Sequence, residues 1–251
     1  MHNYSGIFLG LLVSLWSVSP SPAQMFSQSS ERPRSIRSLS AGYQWTSFQY
    51  NGSRQPTQSF DYEAPAYAIS FTQPSLQATV AFGRQSAQPG SLRELRLLDA
   101  EMFLWGGFPI TGSRTLRIYL PLVLYSGYRS VDERDQQTPS IDAFNLTTLG
   151  LGSGLALEGS LAGDVRLDAQ VTPVGGLALR TLEGTAGRSW LLRSRAQLHI
   201  PRLIRRYGLS IGYSYRYQRW NVDASDLFPT ISDDLFDYKN RQHILHLGVN
   251  W

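Results

Sequence analysis

Cysteine is absent from the 251 residues, which excludes a disulfide framework and any thiolate metal site. Lysine occurs once, at Lys239, so every other one of the 23 basic side chains is an arginine. Charged residues are sparse at 17%, and the net charge of +4 is modest for this length. No basic stripe or patch forms the footprint that nucleic acid requires, so nucleic acid is not an expected partner. Long apolar runs are missing as well. Beyond residue 18 no stretch is long enough to cross a membrane as a helix.

The one apolar run, IFLGLLVSLWSV at 7–18, has the length of a signal h-region and is too short to span about 30 Å of hydrocarbon. Ser19-Pro20-Ser21-Pro22-Ala23 follows, with small residues placed for a cut after Ala23. The n-region is atypical, carrying His2 but no Lys or Arg. The expected organisation is a signal peptide over 1–23, a polar periplasmic lead-in over 24–38, and a single domain over 39–251.

Within that domain the dominant pattern is a period of two. In 115–128 one face carries Leu116, Ile118, Leu120, Leu122 and Leu124, and the other carries Arg117, Tyr119, Pro121, Val123 and Tyr125. In 209–217 Leu209, Ile211, Tyr213, Tyr215 and Tyr217 alternate with Ser210, Gly212, Ser214 and Arg216. Successive side chains of a strand point to opposite faces, so these segments are half-apolar strands. Such segments occur near 39–51, 60–72, 75–86, 93–106, 114–128, 143–158, 162–174, 188–200, 207–221 and 238–251. Short connections (73–75, 108–113, 159–162, 201–206) alternate with mostly longer polar ones (52–59, 87–92, 129–142, 175–187, 222–237). That alternation, an even strand count and segments of about 9–11 residues or more match a transmembrane barrel with both ends in the periplasm.

A soluble sandwich or lipocalin-like barrel also alternates, with its apolar face inward. Here the polar face holds Gly150, Gly152, Gly154 and Ala156 opposite Leu149, Leu151, Leu155 and Leu157, which suits a crowded, curved interior. Trp105, Phe108, Tyr207, Tyr217, Trp220 and Trp251 fall near strand ends, where interfacial aromatic girdles sit. The strands also exceed the usual soluble length of about five or six residues. The fold expected is an all-β, single antiparallel up-and-down transmembrane β-barrel of about ten strands.

The last strand, Arg241 to Trp251, places Leu245, Leu247, Val249 and Trp251 on one face. It resembles the terminal strand of bacterial outer-membrane β-barrel proteins, which commonly ends in an aromatic residue. The resemblance implies a Gram-negative outer-membrane location and assembly by the barrel-assembly machinery, with those four residues as its signal. No specific family is identified.

The inward face then holds Asp99, Glu101, Arg117, Glu158, Arg166, Asp168, Arg193, Arg195 and Arg216, with Tyr119, Tyr125, Gln170 and Gln197 among them. In a low-dielectric interior these charges have to pair, so a salt-bridge network filling a narrow lumen is expected. The function this favours is structural or interaction-based, acting through extracellular loops on an extracellular or periplasmic protein partner. A narrow pore for small solutes or ions is the alternative. An outer-membrane hydrolase comes third. Omptin proteases are ten-stranded barrels of similar size, but Asp99 and Glu101 lie mid-barrel, and His243 and His246 do not reproduce the omptin spacing. A lipid A deacylase would need a neighbouring His–Ser pair with an acid, which the sequence does not display.

Carboxylates in the outer loops (Asp132, Glu133, Asp135; Asp223, Asp226, Asp233, Asp234, Asp237) lack the EF-hand pattern. No metal site or cofactor is therefore expected. Arg93, Arg96, Arg188 and Arg219 stand where outer-membrane lipids and lipopolysaccharide phosphates would lie.

Overall fold

The computed structural model describes residues 36–50, 61–86, 94–113, 115–134, 141–161, 164–179, 186–204, 206–221 and 238–251. The expected signal peptide, nearly all of the lead-in, and the longer connections at 51–60, 87–93, 135–140, 180–185 and 222–237 lie outside the described residues.

Eleven strand segments run in chain order: β1 (Ser38–Tyr50), β2 (Asp61–Gln73), β3 (Leu76–Ser86), β4 (Glu94–Gly112), β5 (Leu116–Arg134), β6 (Ile141–Ser153), β7 (Leu155–Ser160), β8 (Arg166–Leu179), β9 (Ala186–Ile204), β10 (Tyr207–Asn221) and β11 (Tyr238–Asn250). Apart from β6 and β7, consecutive segments pair antiparallel; β1 pairs with β11 from Ser38↔Asn250 to Tyr50↔Tyr238, and the sheet closes on itself. Segments β6 and β7 form one stave, because both pair with β5 on one side and β8 on the other. The result is a ten-stave antiparallel barrel of the outer-membrane type.

The interruption of the sixth stave has a local cause. The register places Pro121 of β5 opposite Gly154 and Pro173 of β8 opposite Ser153. Neither proline has an N–H to give the ladder. The staves are also pressed together here. A Cβ on Gly154 would lie 2.0 Å from the Val171 carbonyl, and one on Gly152 would lie 2.2 Å from the Pro173 carbonyl.

The start of β1 and the end of β11 lie at the end with the short connections. Pro74-Ser75 joins β2 to β3 as a two-residue turn, and Ser113 closes the β4–β5 hairpin by accepting from Leu116 N at 3.1 Å. The strands run further than the sequence pattern indicates. Residues 108–112 and 201–204, within segments 108–113 and 201–206 read as turns, continue the β4–β5 and β9–β10 hairpins, with bulges near Pro109 and Tyr207. At the opposite end β5 continues to Arg134 and β8 to Leu179, so Asp132 and Glu133 are ladder residues rather than loop ones. Ladder pairing persists beyond the point where apolar alternation stops, since backbone groups pair whatever the side chains are.

The apolar face points out. Leu39, Ile69, Leu122, Leu124, Leu151, Leu245, Leu247 and Val249 are all exposed on the barrel wall. Among the described residues, the outward positions between the two rims hold no Asp, Glu, Lys or Arg; outward charges at the loop end include Glu63, Arg84, Glu94, Arg96, Arg188, Arg219, Lys239 and Arg241. Just below them an aromatic ledge runs across neighbouring staves. Tyr43 meets Tyr67 edge-on, Trp190 meets Tyr217, and the Tyr213 hydroxyl lies 2.7 Å from His243 Nδ1. Phe108, Tyr207 and Trp251 are exposed at the turn end. From His243 to Trp251 the wall is about 20 Å tall at the usual rise and tilt, near the height of an outer-membrane apolar band. Two aromatics expected in the girdles are not there: Trp220 and Trp105 point into the lumen, because each falls on the inward phase of its strand.

Three variants test this description. Gly152→Val puts a branched side chain against the β8 backbone, and folded barrel, measured by heat-modifiable migration in gels, should drop sharply. Leu151→Arg, on the exposed wall, should cost about 2–4 kcal/mol in urea titrations in lipid vesicles. Ser47→Arg, near the loop-end rim, should cost about 1 kcal/mol or less.

Candidate functional site: the filled lumen

Inward side chains stack in layers from the loop end to the turn end. The outermost layer is apolar. Phe48, Tyr62, Leu95, Leu97, Val131 and Leu146 meet there, with Ala178 and Trp220. Phe48 stacks on Tyr238 at 5.8 Å and meets Trp220 edge-on, while Trp220 Nε1 donates to Thr148 Oγ1 at 3.0 Å. Period-two alternation hid this layer, because these residues sit on the face otherwise marked by polar side chains. The lumen is not polar throughout.

Arg129 forms the floor of the apolar layer, its guanidinium 5.3 Å from the Trp220 ring and 5.8 Å from the Phe48 ring. Cation–π contact offsets part of its desolvation. On its other side Arg129 donates to Asp99 at 2.5 Å. Arg216 donates to the same Asp99 oxygen at 2.5 Å and also to Glu101, and Gln242 Nε2 adds a third donor to Asp99 at 2.6 Å. Asp99 is 6% exposed. A carboxylate this deep is tolerated because three bonds, two of them from guanidinia, converge on it from three other staves. A cavity of about 10 Å³, scarcely one water in size, lies between Asp99, Arg129 and Trp220.

Beneath this lies an aromatic layer, with Phe103 and Tyr125 at 4.7 Å beside Val123, Val174 and Leu191. Arg193 lies 3.8 Å over the Phe103 ring, and Arg195 lies 5.2 Å over Trp105. Both donate to Gln77 Oε1 across the lumen, at 2.5 and 2.8 Å. At the turn end, Tyr119 donates to Glu158 at 3.1 Å, and Glu158 stands between Arg117 and Asp168 in register. Arg166 occupies the same mouth, opposite His199.

The structure thus brings Asp99, Glu101 and Arg216 together, groups Glu158 with Asp168, Arg117 and Arg166, and sets Arg193 and Arg195 apart on a shared glutamine. Sequence reasoning missed Arg129, Gln242 and Gln77. Arg129 was legible in principle, since continuing the alternation past Tyr125 and Gly127 puts it inward. The glutamines carry no such signal.

It also missed a chain of three polar groups on adjacent staves: Ser210 Oγ lies 2.8 Å from His199 Nδ1, and His199 Nε2 lies 3.1 Å from Asp168. Serine, histidine and acid are in hydrogen-bonding order, as acyl transfer requires. Ser210, however, is 1% exposed and also receives a bond from Asn250 Nδ2 at 3.0 Å, so no acyl group can approach it. The arrangement serves as a buried polar clasp. His246 contacts Ser214 at 3.4 Å, and Asp99 and Glu101 are held by arginines rather than by a histidine. Leu245, Leu247, Val249 and Trp251 all face outward and are exposed.

Asp99→Asn removes the negative charge that two buried arginines share. The expected cost is about 3–5 kcal/mol, because Arg129 is left uncompensated. Pairing it with Arg129→Met should recover part of that loss; chemical denaturation of the two variants in the same vesicles measures the difference.

No protein-family model matches the chain, and no curated protein matches it. Among solved structures it is similar to Neisserial surface protein A (14% identity, covering 84% of this chain and 95% of that one, TM-score 0.27). It is also similar to the translocator domain of the autotransporter NalP from Neisseria meningitidis (10% identity, 97% and 95% coverage, TM-score 0.33). A third is the attachment invasion locus protein Ail of Yersinia pestis in complex with the heparin analogue sucrose octasulfate (12% identity, 87% and 100% coverage, TM-score 0.27). The fold assignment rests on the closed ring of staves and its outward apolar wall.

Proposed function

We propose that this chain is a closed outer-membrane barrel that acts as a rigid anchor, holding its long loops at the cell surface for a structural or interaction role. The observation that carries this reading is the apolar seal at the loop end, where Phe48, Tyr62 and Trp220 are almost wholly buried inside the ring. A conduit for solutes needs a hydrated path, and an apolar plug backed by an ion-paired layer disfavours one. Loops on a rigid scaffold are natural places for recognition. An extracellular protein partner is the expected class.

The uncharged wall and its aromatic ledges support insertion in lipid. Outward Arg96, Arg188, Arg219, Lys239 and Arg241 stand at headgroup height, where lipopolysaccharide phosphates would lie in this orientation; Arg93 is outside the described residues. Delivery by a cleaved signal peptide over 1–23 belongs to the same proposal, as does assembly read from Leu245, Leu247, Val249 and Trp251.

Planar-bilayer recording on the purified, folded chain tests the reading. Wild-type protein should give no reproducible channel steps, and Phe48→Gly combined with Trp220→Gly should give small ones. Stable steps from the wild type would overturn the sealed anchor in favour of the narrow pore.

A further inference from the structure

Among the described residues, charge inside the lumen does not balance. The described inward carboxylates are Asp99, Glu101, Glu158 and Asp168. The inward guanidinia are Arg117, Arg129, Arg166, Arg193, Arg195 and Arg216, six against four. The excess can be located. Arg129 and Arg216 share Asp99 and Glu101. Arg117 lies opposite Glu158, and Arg166 is two residues from Asp168 on the same strand.

Arg193 and Arg195 remain, the first attracted by Glu101 and the second by Asp168 and Glu158 only from beyond ion-pair distance. Among the described residues neither has a carboxylate within 4.0 Å; they share the single carbonyl oxygen of Gln77. Arg193 is 4% exposed, so its charge is cut off from bulk water. Buried charges of one sign are strongly disfavoured unless a counter-charge joins them. Cation–π contacts with Phe103 and Trp105 offset only part of that penalty. Two further buried nitrogens in this region lack a partner, Nε of Arg195 and Nδ1 of His246, whose other nitrogen contacts Ser214, the cross-strand neighbour of Arg195. Arg195, Trp105, Tyr119 and Glu158 are only half-buried, so the region is reached from the turn end.

We propose that Arg193 and Arg195 bind a small inorganic oxyanion, sulfate or phosphate, which enters from the turn end and neutralises the excess charge. The planar guanidinium fork matches two oxygens of a tetrahedral oxyanion, and the Gln77 carbonyl, as an acceptor, keeps the forks aligned. The site does not depend on the sealed-anchor reading, since it opens on the other side of the plug.

The test uses the full chain folded in detergent micelles, titrated with sodium sulfate against sodium chloride at constant ionic strength. The thermal midpoint should rise and saturate. In Arg193→Gln and in Arg195→Gln the half-saturating concentration should increase by about tenfold or more, the loss of one charge-assisted contact. Arg84→Gln, outward at the loop end, should behave as wild type. A rise that never saturates, or one identical in all three variants, is a general salt effect and overturns the site. Should the two lumen variants fail to fold, equilibrium dialysis of radiolabelled sulfate on the wild type decides. One ion per barrel, displaced by phosphate and not by chloride, supports the site, and absence of binding rejects it.

Discussion

Hydrocarbon offers no partner to a backbone amide or carbonyl, so a sheet that lives in it must satisfy its own edges. The thirteen-residue pairing of β1 with β11 meets that demand by turning a sheet into a ring. Everything else depends on that closure. It forces one face of every stave outward into lipid and the other into a narrow interior. Leu149 and Leu151 can be leucines and Gly150 and Gly152 must be small for the same reason: the ring bends towards the second pair and away from the first.

A narrow interior then has to be filled with side chains that neutralise one another. Large residues on β4, β5, β9 and β10 reach across, while the glycines of β6 let the β8 backbone approach closely. Asp99 organises the middle because three donors from separate staves converge on one oxygen, so the staves cannot slide without unpairing a buried charge. The layer above it could be apolar only because Arg129 presents its flat face to Phe48 and Trp220 and its edge to Asp99.

Much of this was written in the alternation of residues. The staves, their order and the sense of inside and outside follow from period two and from the lengths of connections. Strand ends were less legible, since ladder pairing carries on through residues such as Pro109 and Asp132 whose side chains give no apolar cue. The interior was legible residue by residue but not in its groupings. Glu101 and Arg216 lie 115 positions apart in sequence, and only the ring's circumference brings them together. Trp105 and Trp220 lie near strand ends, as girdle residues do, but the phase of each strand points them inward.

The sixth stave adds a mechanical asymmetry. On the arc from β9 through β2 the ladders run without interruption except for one bulge at the β9–β10 turn, and those staves behave as a stiff plate. At Gly154 two prolines leave the ladder short, and β7 holds β5 through only the four pairs from Leu116↔Gly159 to Tyr119↔Ala156. The barrel is therefore a stiff arc with a compliant gusset. A deformation of the ring would be taken up most easily at that gusset, beside Glu158 and Asp168, rather than at the apolar layer of the other end.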